Sequence, residues 1–375
     1  MLESFFVRNF RLFKHLELPQ LGRVNLIAGK NGSGKSALLE AIHLYASNGN
    51  PRILADQIIE RQEFGDEKVR NSGEFEISHP LCHIFSDRKM PQLGDNGVLM
   101  GILNTQFQVQ FTLGAFKEEI NRKDSTIYHR RITEPQQLPE QKEDIDWFIF
   151  VEEEGTLLNA LSLRTYSERY FDPRNTFRDP LEKAIFEAQY VPAQSIDEDH
   201  IALLWDEVSL TDQEIEVIQG IQIVNPEVSG LNFVNSSGEN RHTGRRIAIV
   251  KLQSQSLPIP LKSLGDGIYR LLYIILALVN AKDGILLIDE LENGLHWKIH
   301  PKVWDVIFCL SEKLNVQVFA TTHSGDCIRG FESAWGEHQD AGTFFRLDVK
   351  DDNVKATYYN HEILHDAIVA DVEVR

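Results

Sequence analysis

Residues 29–36 read GKNGSGKS, and this stretch decides the fold. The apolar run Val24-Asn25-Leu26-Ile27-Ala28 precedes it and the helix-forming Ala37-Leu38-Leu39-Glu40-Ala41-Ile42 follows, which puts a strand, a glycine-rich turn and a helix in P-loop order. Glycines let the backbone wrap close to phosphate oxygens while successive N–H groups and the helix N-terminus point at the anion. In this pattern Asn31, Gly32, Ser33 and Gly34 build the cradle. Lys35 supplies a point charge for the β- and γ-phosphates of ATP, and Ser36 supplies a hydroxyl for Mg²⁺.

A second strand signal lies far downstream. Gly284-Ile285-Leu286-Leu287-Ile288 is uninterrupted and apolar, as a strand covered on both faces requires, and it runs into Asp289 and Glu290. Asp289 suits Mg²⁺, largely through water. Glu290 then faces the γ-phosphate, where it can orient or deprotonate the attacking water. Val316 to Thr322 is another buried-strand pattern, ending in His323.

The chain of 375 residues is long enough to bury a sizeable core, and one large domain with an insertion is expected. Its 42% hydrophobic and 25% charged residues are ordinary for a globular protein. The N-terminus lacks the layout of a signal peptide and the longest apolar segment, 271–279, is too short to span a bilayer, so a cytoplasmic protein without membrane contact is expected. Cys82, Cys309 and Cys327 form no C-x-x-C pair and read as buried or idle thiols. A net charge of -18 argues against indiscriminate nucleic-acid binding but leaves room for a local basic groove. Strands are expected at 4–7, 16–18, 105–111 and 147–151, and the polar segment 117–142 reads as a surface insertion whose His129-Arg130-Arg131 cluster is a solvated charge run. Thr211 and Glu214 have capping-box spacing ahead of a helix at 215–220. His296 and His300 have H-x-x-x-H spacing, but with Pro301 adjacent and no third ligand no metal site is expected there.

The opening VRNFRLFKHLELPQLGRVNLIAGKNGSGKSALLEAI, residues 7–42, resembles the start of the RecF, SMC and OLD-like branch of ABC-type ATPase heads. The resemblance implies an α/β P-loop NTPase fold with a mixed, largely parallel central sheet, an antiparallel β lobe and an inserted β/helical arm. It divides the chain into an N-terminal lobe (1–115), an arm or lid (116–187) and a C-terminal lobe (188–375). No sustained heptad repeat supports the long coiled coil of SMC proteins. Arg11 lies either near the nucleotide or on the surface.

Further roles follow from the resemblance. Gln194, ending the extended piece 188–194, matches a Q-loop glutamine that helps hold Mg²⁺; a plain loop glutamine is the alternative. Ser263-Leu264-Gly265-Asp266-Gly267 resembles the signature turn, whose Ser263, Gly265 and Gly267 would bind the γ-phosphate of ATP held by the opposite subunit. A helix N-terminus attracts an anion, which fits that use. Residues 291–296 resemble a D-loop and His323 the switch histidine. The family comparison implies a homodimer closed over ATP, with higher oligomers open. Too little chain follows His323 for the TOPRIM nuclease of OLD proteins, so a separate effector protein, a nuclease, is expected in bacterial anti-phage defence. A DNA repair ATPase that binds DNA directly and a slowly hydrolysing scaffold remain alternatives. Asp348, Asp351 and Asp352 read as a solvated acidic turn in a terminal hairpin and helix.

Overall fold

The computed structural model describes residues 1–63, 79–120, 127–139, 145–163, 177–178, 184–194, 198–235, 246–338, 340–351 and 353–375. The chain opens with β1 (Phe5–Phe10), β2 (Phe13–Leu18), β3 (Val24–Gly29), α1 (Lys35–Ala46) and α2 (Pro51–Glu60). β4 (Val98–Gly101), β5 (Gln108–Ile120), β6 (Ile127–Ile132), β7 (Ile145–Glu153), β8 (Thr156–Ser162), β9 (Phe177–Arg178) and β10 (Ala188–Val191) follow. Next come α3 (Glu198–Val208), α4 (Gln213–Val224), β11 (Val228–Asn235), β12 (Arg246–Leu252), β13 (Ile259–Pro260) and α5 (Asp266–Asn280). The chain closes with β14 (Ile285–Ile288), α6 (His300–Lys313), β15 (Gln317–Thr322), α7 (Gly325–Glu337), β16 (Gly342–Lys350), β17 (Asn353–Tyr359) and α8 (His361–Val369).

The central sheet has the order β10-β14-β15-β3-β16-β17. Every neighbouring pair is parallel except the terminal hairpin of β16 and β17. β3, β14 and β15 are buried at every residue, which explains their largely apolar sequences. Alternation divides their side chains between two cores. Val24, Leu26, Ala28, Leu286, Ile288, Val318 and Ala320 join the core formed with α5, α6 and α7. Ile27, Ile285, Leu287, Phe319 and Phe345 join the core formed with α1 and the antiparallel lobe. Asn25 is fully buried within the apolar run, and its side chain is bonded to Gly22, to the Val318 carbonyl and to Thr343, so it ties β3 to both neighbours.

The antiparallel lobe has the order β2-β1-β4-β5-β7-β8-β9, with β6 pairing the far half of β5. Together the layers form a P-loop NTPase head with a mixed central sheet and an antiparallel β lobe. β5 crosses position 116, so strands on both sides of that position share one sheet. It begins at Gln108 rather than 105, because Thr105 is used in a turn onto the Ile102 carbonyl. Arg130 and Arg131 are not a purely solvated run, since they pair with Glu119 and Glu152 and Arg131 lies over the Phe150 ring. The Thr211–Glu214 box forms only partly: Glu214 accepts from the Leu210 N–H and Thr211 from the Gln213 N–H. Cys82 and Cys327 are buried, whereas Cys309 is exposed. Asp348 lies within β16, paired with Arg346, and Asp351 lies in the hairpin turn; Asp352 lies outside the described residues. No helix among the described residues is long and apolar enough to cross a membrane.

Candidate functional site

Four neighbouring parallel strands deliver the predicted motifs to one edge of the central sheet. The register sets Val191 of β10 beside Ile288 of β14, Ile288 beside Ala320 of β15, and Thr322 of β15 beside Ala28 of β3. The residues that follow these positions, Gln194, Asp289 and Glu290, His323, and the turn 29–36, therefore leave the carboxyl edge side by side. That edge is where open α/β sheets bind ligands.

The turn itself requires its glycines. Gly34 has φ +97°, and a Cβ there would meet Phe13 at 2.9 Å and Leu12 at 3.0 Å. A Cβ on Gly29 would lie 2.5 Å from Ser33 Oγ and 2.7 Å from the Leu347 carbonyl. Gly32, at φ +80°, faces open space. Ser33 is 3% exposed and its hydroxyl has no hydrogen-bond partner, a donor suited to an oxyanion. Lys35 donates to the Gly29 and Lys30 carbonyls at 2.8 and 3.2 Å, which folds its ammonium over the turn. Burial pushes the Lys35 pKa down, and the carboxylates of Glu290, Asp289 and Glu292 act in the opposite direction. A cavity of ≈ 610 Å³ opens here, lined by Asn31, Gly32, Gly34, Lys35, Ser36 and Glu290, and also by Arg11, Arg61 and Arg88.

Arg11 is not a surface arginine. At 8% exposure and φ 52° it contacts Glu40 at 2.5 Å and donates to both oxygens of Glu63 at 2.8 and 2.9 Å, while Arg61 holds the other oxygen of Glu40 at 2.6 Å. Burial nevertheless pushes the Glu40 carboxyl up, against the pull of the two arginines.

The acidic strand end is tightly organised. Thr321 Oγ1 donates to Asp289 Oδ1 at 2.5 Å and accepts from the Glu290 N–H at 2.8 Å. Glu290 adopts φ 47°, a left-handed conformation that costs a non-glycine residue on the order of 1–3 kcal/mol and recurs at functional sites. Asn293 Nδ2 donates to Glu290 Oε2 at 2.7 Å and to the Ala193 carbonyl at 3.0 Å. His323 Nδ1 lies 3.1 Å from Glu292 Oε1 and 3.8 Å from Glu290 Oε1, and the His323 N–H also donates to Glu292 Oε1. With Nδ1 engaged by a carboxylate, Nε2 is the nitrogen left for a ligand. Gln194 is exposed, three residues beyond β10. Arg270, 2% exposed on α5, donates to the Pro192 and Asp289 carbonyls at 2.6 and 3.0 Å and so fastens that loop to the acidic strand end.

The signature-like turn leads into α5. Ser263 lies in a 3₁₀ turn (Leu261–Leu264), Gly265 has φ +105° with open space around it, and α5 starts directly after. A Cβ on Gly267 would lie 3.0 Å from the Gly294 carbonyl, so this turn packs on the D-loop-like stretch of its own chain. Among the described residues, the cavity is lined neither by 263–267 nor by Gln194, Asp289 or His323, and His323 borders a second cavity with Ser324 and Arg329. His296 Nδ1 accepts from the Lys298 N–H, and His300 is buried at the start of α6.

Arg61, Arg88, Arg270, Asn293 and Thr321 were not singled out in the sequence. Thr321 and Asn293 have local signals, Thr321 in the threonine pair that ends an apolar run and Asn293 within the D-loop-like stretch 291–296.

Two family models match the chain: an AAA domain over residues 6–189 and an AAA ATPase domain over 195–328. An ATP/GTP phosphatase of Helicobacter pylori is 21% identical over 395 residues, covering 97% of each protein. An uncharacterized protein of Methanocaldococcus jannaschii is 35% identical over 88 residues, 21% of this chain and 40% of that protein. The DNA replication and repair protein RecF of Nitrosococcus oceani is 41% identical over 64 residues, 17% of each. The chain thus aligns with less than half the length of the last two.

Proposed function

Because the chain carries AAA-type ATPase domains and is an ATPase, we propose that it is an OLD- or RecF-like switch in which two copies close over ATP and Mg²⁺. Closure controls a separate effector, a nuclease in bacterial anti-phage defence. The observation that supports the dimer is the placement of the turn: Ser263 and Gly265 stand exposed at a helix N-terminus, and Gly265 faces open space. A turn placed in this way suits the γ-phosphate of a second copy.

In this reading the N–H groups of 32–36 and the Lys35 ammonium bind the phosphates, and Ser33 Oγ gains an acceptor. Ser36 and Asp289, with Gln194 nearby, would hold Mg²⁺, which supplies charge neutralisation to the phosphates when bound. Asp289 suits that role because Thr321 fixes its orientation through one oxygen. Glu290 orients and deprotonates the attacking water, held in place by Asn293. His323, positioned by Glu292, presents Nε2 to the γ-phosphate or that water. The segment 116–187 carries the response to the effector; Ile127 and Tyr128, exposed on β6, offer a contact surface there. Coupling requires the effector to bind the open and closed states with different affinity.

The test is recovery of the protein encoded beside this chain on immobilised wild type and Glu290→Gln, with and without ATP, followed by a DNA-cleavage assay of each fraction. Nucleotide-dependent recovery of a nuclease is expected. The similarity to a DNA replication and repair protein favours a second reading, direct DNA binding. Tight DNA binding with no protein recovered in any nucleotide state would replace the first reading by the second.

A further inference from the structure

We propose that Asp305, Cys309 and His338 form a binding site for one transition-metal ion of the Zn²⁺ class, separate from the nucleotide cleft, that pins the end of α7 to the middle of α6. Asp305 and Cys309 are four residues apart on α6 and so share a face. His338 is the residue that closes α7, and its ring lies flat on Phe308, with centroids 5.0 Å apart and planes 7° apart. That stacking aims Nε2 at the α6 pair.

The three donor atoms already stand near tetrahedral spacing. His338 Nε2 is 3.0 Å from Asp305 Oδ1 and 3.9 Å from Cys309 Sγ, and Cys309 Sγ is 4.0 Å from Asp305 Oδ1. Bonds of about 2.3 Å to sulfur and about 2.0 Å to nitrogen or oxygen, at tetrahedral angles, separate such donors by roughly 3.3–3.6 Å. Each pair therefore needs to shift by only a few tenths of an ångström. A thiolate, an imidazole and a carboxylate together select a borderline ion such as Zn²⁺ or Co²⁺ over Mg²⁺ or Ca²⁺, which take oxygen. Cys309 is exposed, so water can reach the fourth position. A thiol must lose its proton to ligate a metal ion, so metal binding releases a proton and weakens as pH falls. α6 follows the D-loop-like stretch and α7 follows His323, so an ion here would fix the spacing of the two helices behind those loops.

The test uses the full chain, stripped with a chelator and free of nucleotide, titrated with Co²⁺. One equivalent should produce a sulfur-to-cobalt charge-transfer band that Zn²⁺ then displaces. Cys82 and Cys327 are buried, at 2% and 0% exposure, so the band reports on Cys309. Cys309→Ser should abolish it, and His338→Ala should weaken Co²⁺ binding at least tenfold. ATPase activity of the Cys309→Ser protein, expected unchanged, checks that it is folded. In the wild type, Zn²⁺ should slow alkylation of Cys309. Absorption without a charge-transfer band, a band that survives Cys309→Ser, or alkylation indifferent to Zn²⁺ would each overturn the site and leave an Asp305–His338 ion pair that closes α7.

Discussion

Lys35 concentrates the chemistry of the cleft in one side chain. Its ammonium is held over the turn by two carbonyls and faces three carboxylates. A hydrogen bond from a charged group is worth about 1.5–3 kcal/mol, so Lys35→Ala should weaken ATP binding by about 10- to 150-fold with the fold intact. Calorimetric titration measures this, and unchanged affinity would remove Lys35 from the site. Two histidines, His79 buried and His43 half-buried, set a pH dependence. Burial lowers the pKa values of His43, stacked on Tyr190, and of His79 to about 4 from an ordinary 6.5. Between those values the unfolded chain binds protons that the folded chain refuses, so stability falls as pH drops from 6.5 towards 4, by at most about 3 kcal/mol per histidine. His43→Phe keeps a ring against Tyr190 and removes one titration, so urea midpoints of the variant should vary less over this window. An identical pH slope in variant and wild type would show that His43 titrates normally.

At the level of elements, α5 does more than fill the core. Its Arg270 is the link between the loop after β10 and the end of β14. Arg270→Met keeps the stem and removes both donors. Two carbonyls then lose a charged partner, so a loss on the order of 2–4 kcal/mol in chemical denaturation is expected, with reduced ATP turnover. Full stability would mean that water replaces the guanidinium. The same helix was readable as the apolar run 268–280, but nothing in that pattern marks Arg270 as different from a surface arginine. β5 shows the converse case. Its alternation is visible from 105, yet the first three residues are taken by a local turn, because Thr105 bonds the Ile102 carbonyl instead of a ladder partner.

For the whole molecule, the exposure of the signature-like turn has a direct consequence. Ser263→Arg adds a bulky cation to the face proposed to close on a second copy, while leaving the P-loop of its own chain untouched. ATP should therefore bind the variant normally and fail to double its mass in light scattering, whereas Glu290→Gln should accumulate as the dimer. A Ser263→Arg protein that still dimerises with ATP would move the interface elsewhere.

The P-loop, the acidic strand end and the strand before His323 were all legible from the sequence, because each is a local pattern: a buried run followed at once by glycines or polar groups at the strand end. Parallel pairing then made their adjacency nearly unavoidable, since strands buried on both faces must pack side by side. What only the tertiary structure decided are contacts without a local period. Glu292 positions His323 across 31 residues, Arg270 reaches Pro192 across 78, and Cys309 meets His338 across 29. These side chains are polar, and composition alone leaves them as free to face solvent as to meet one another. Chain folding settles their partners by bringing strand ends and helix ends to common edges, where a buried donor left unpaired would cost more than the contact that satisfies it.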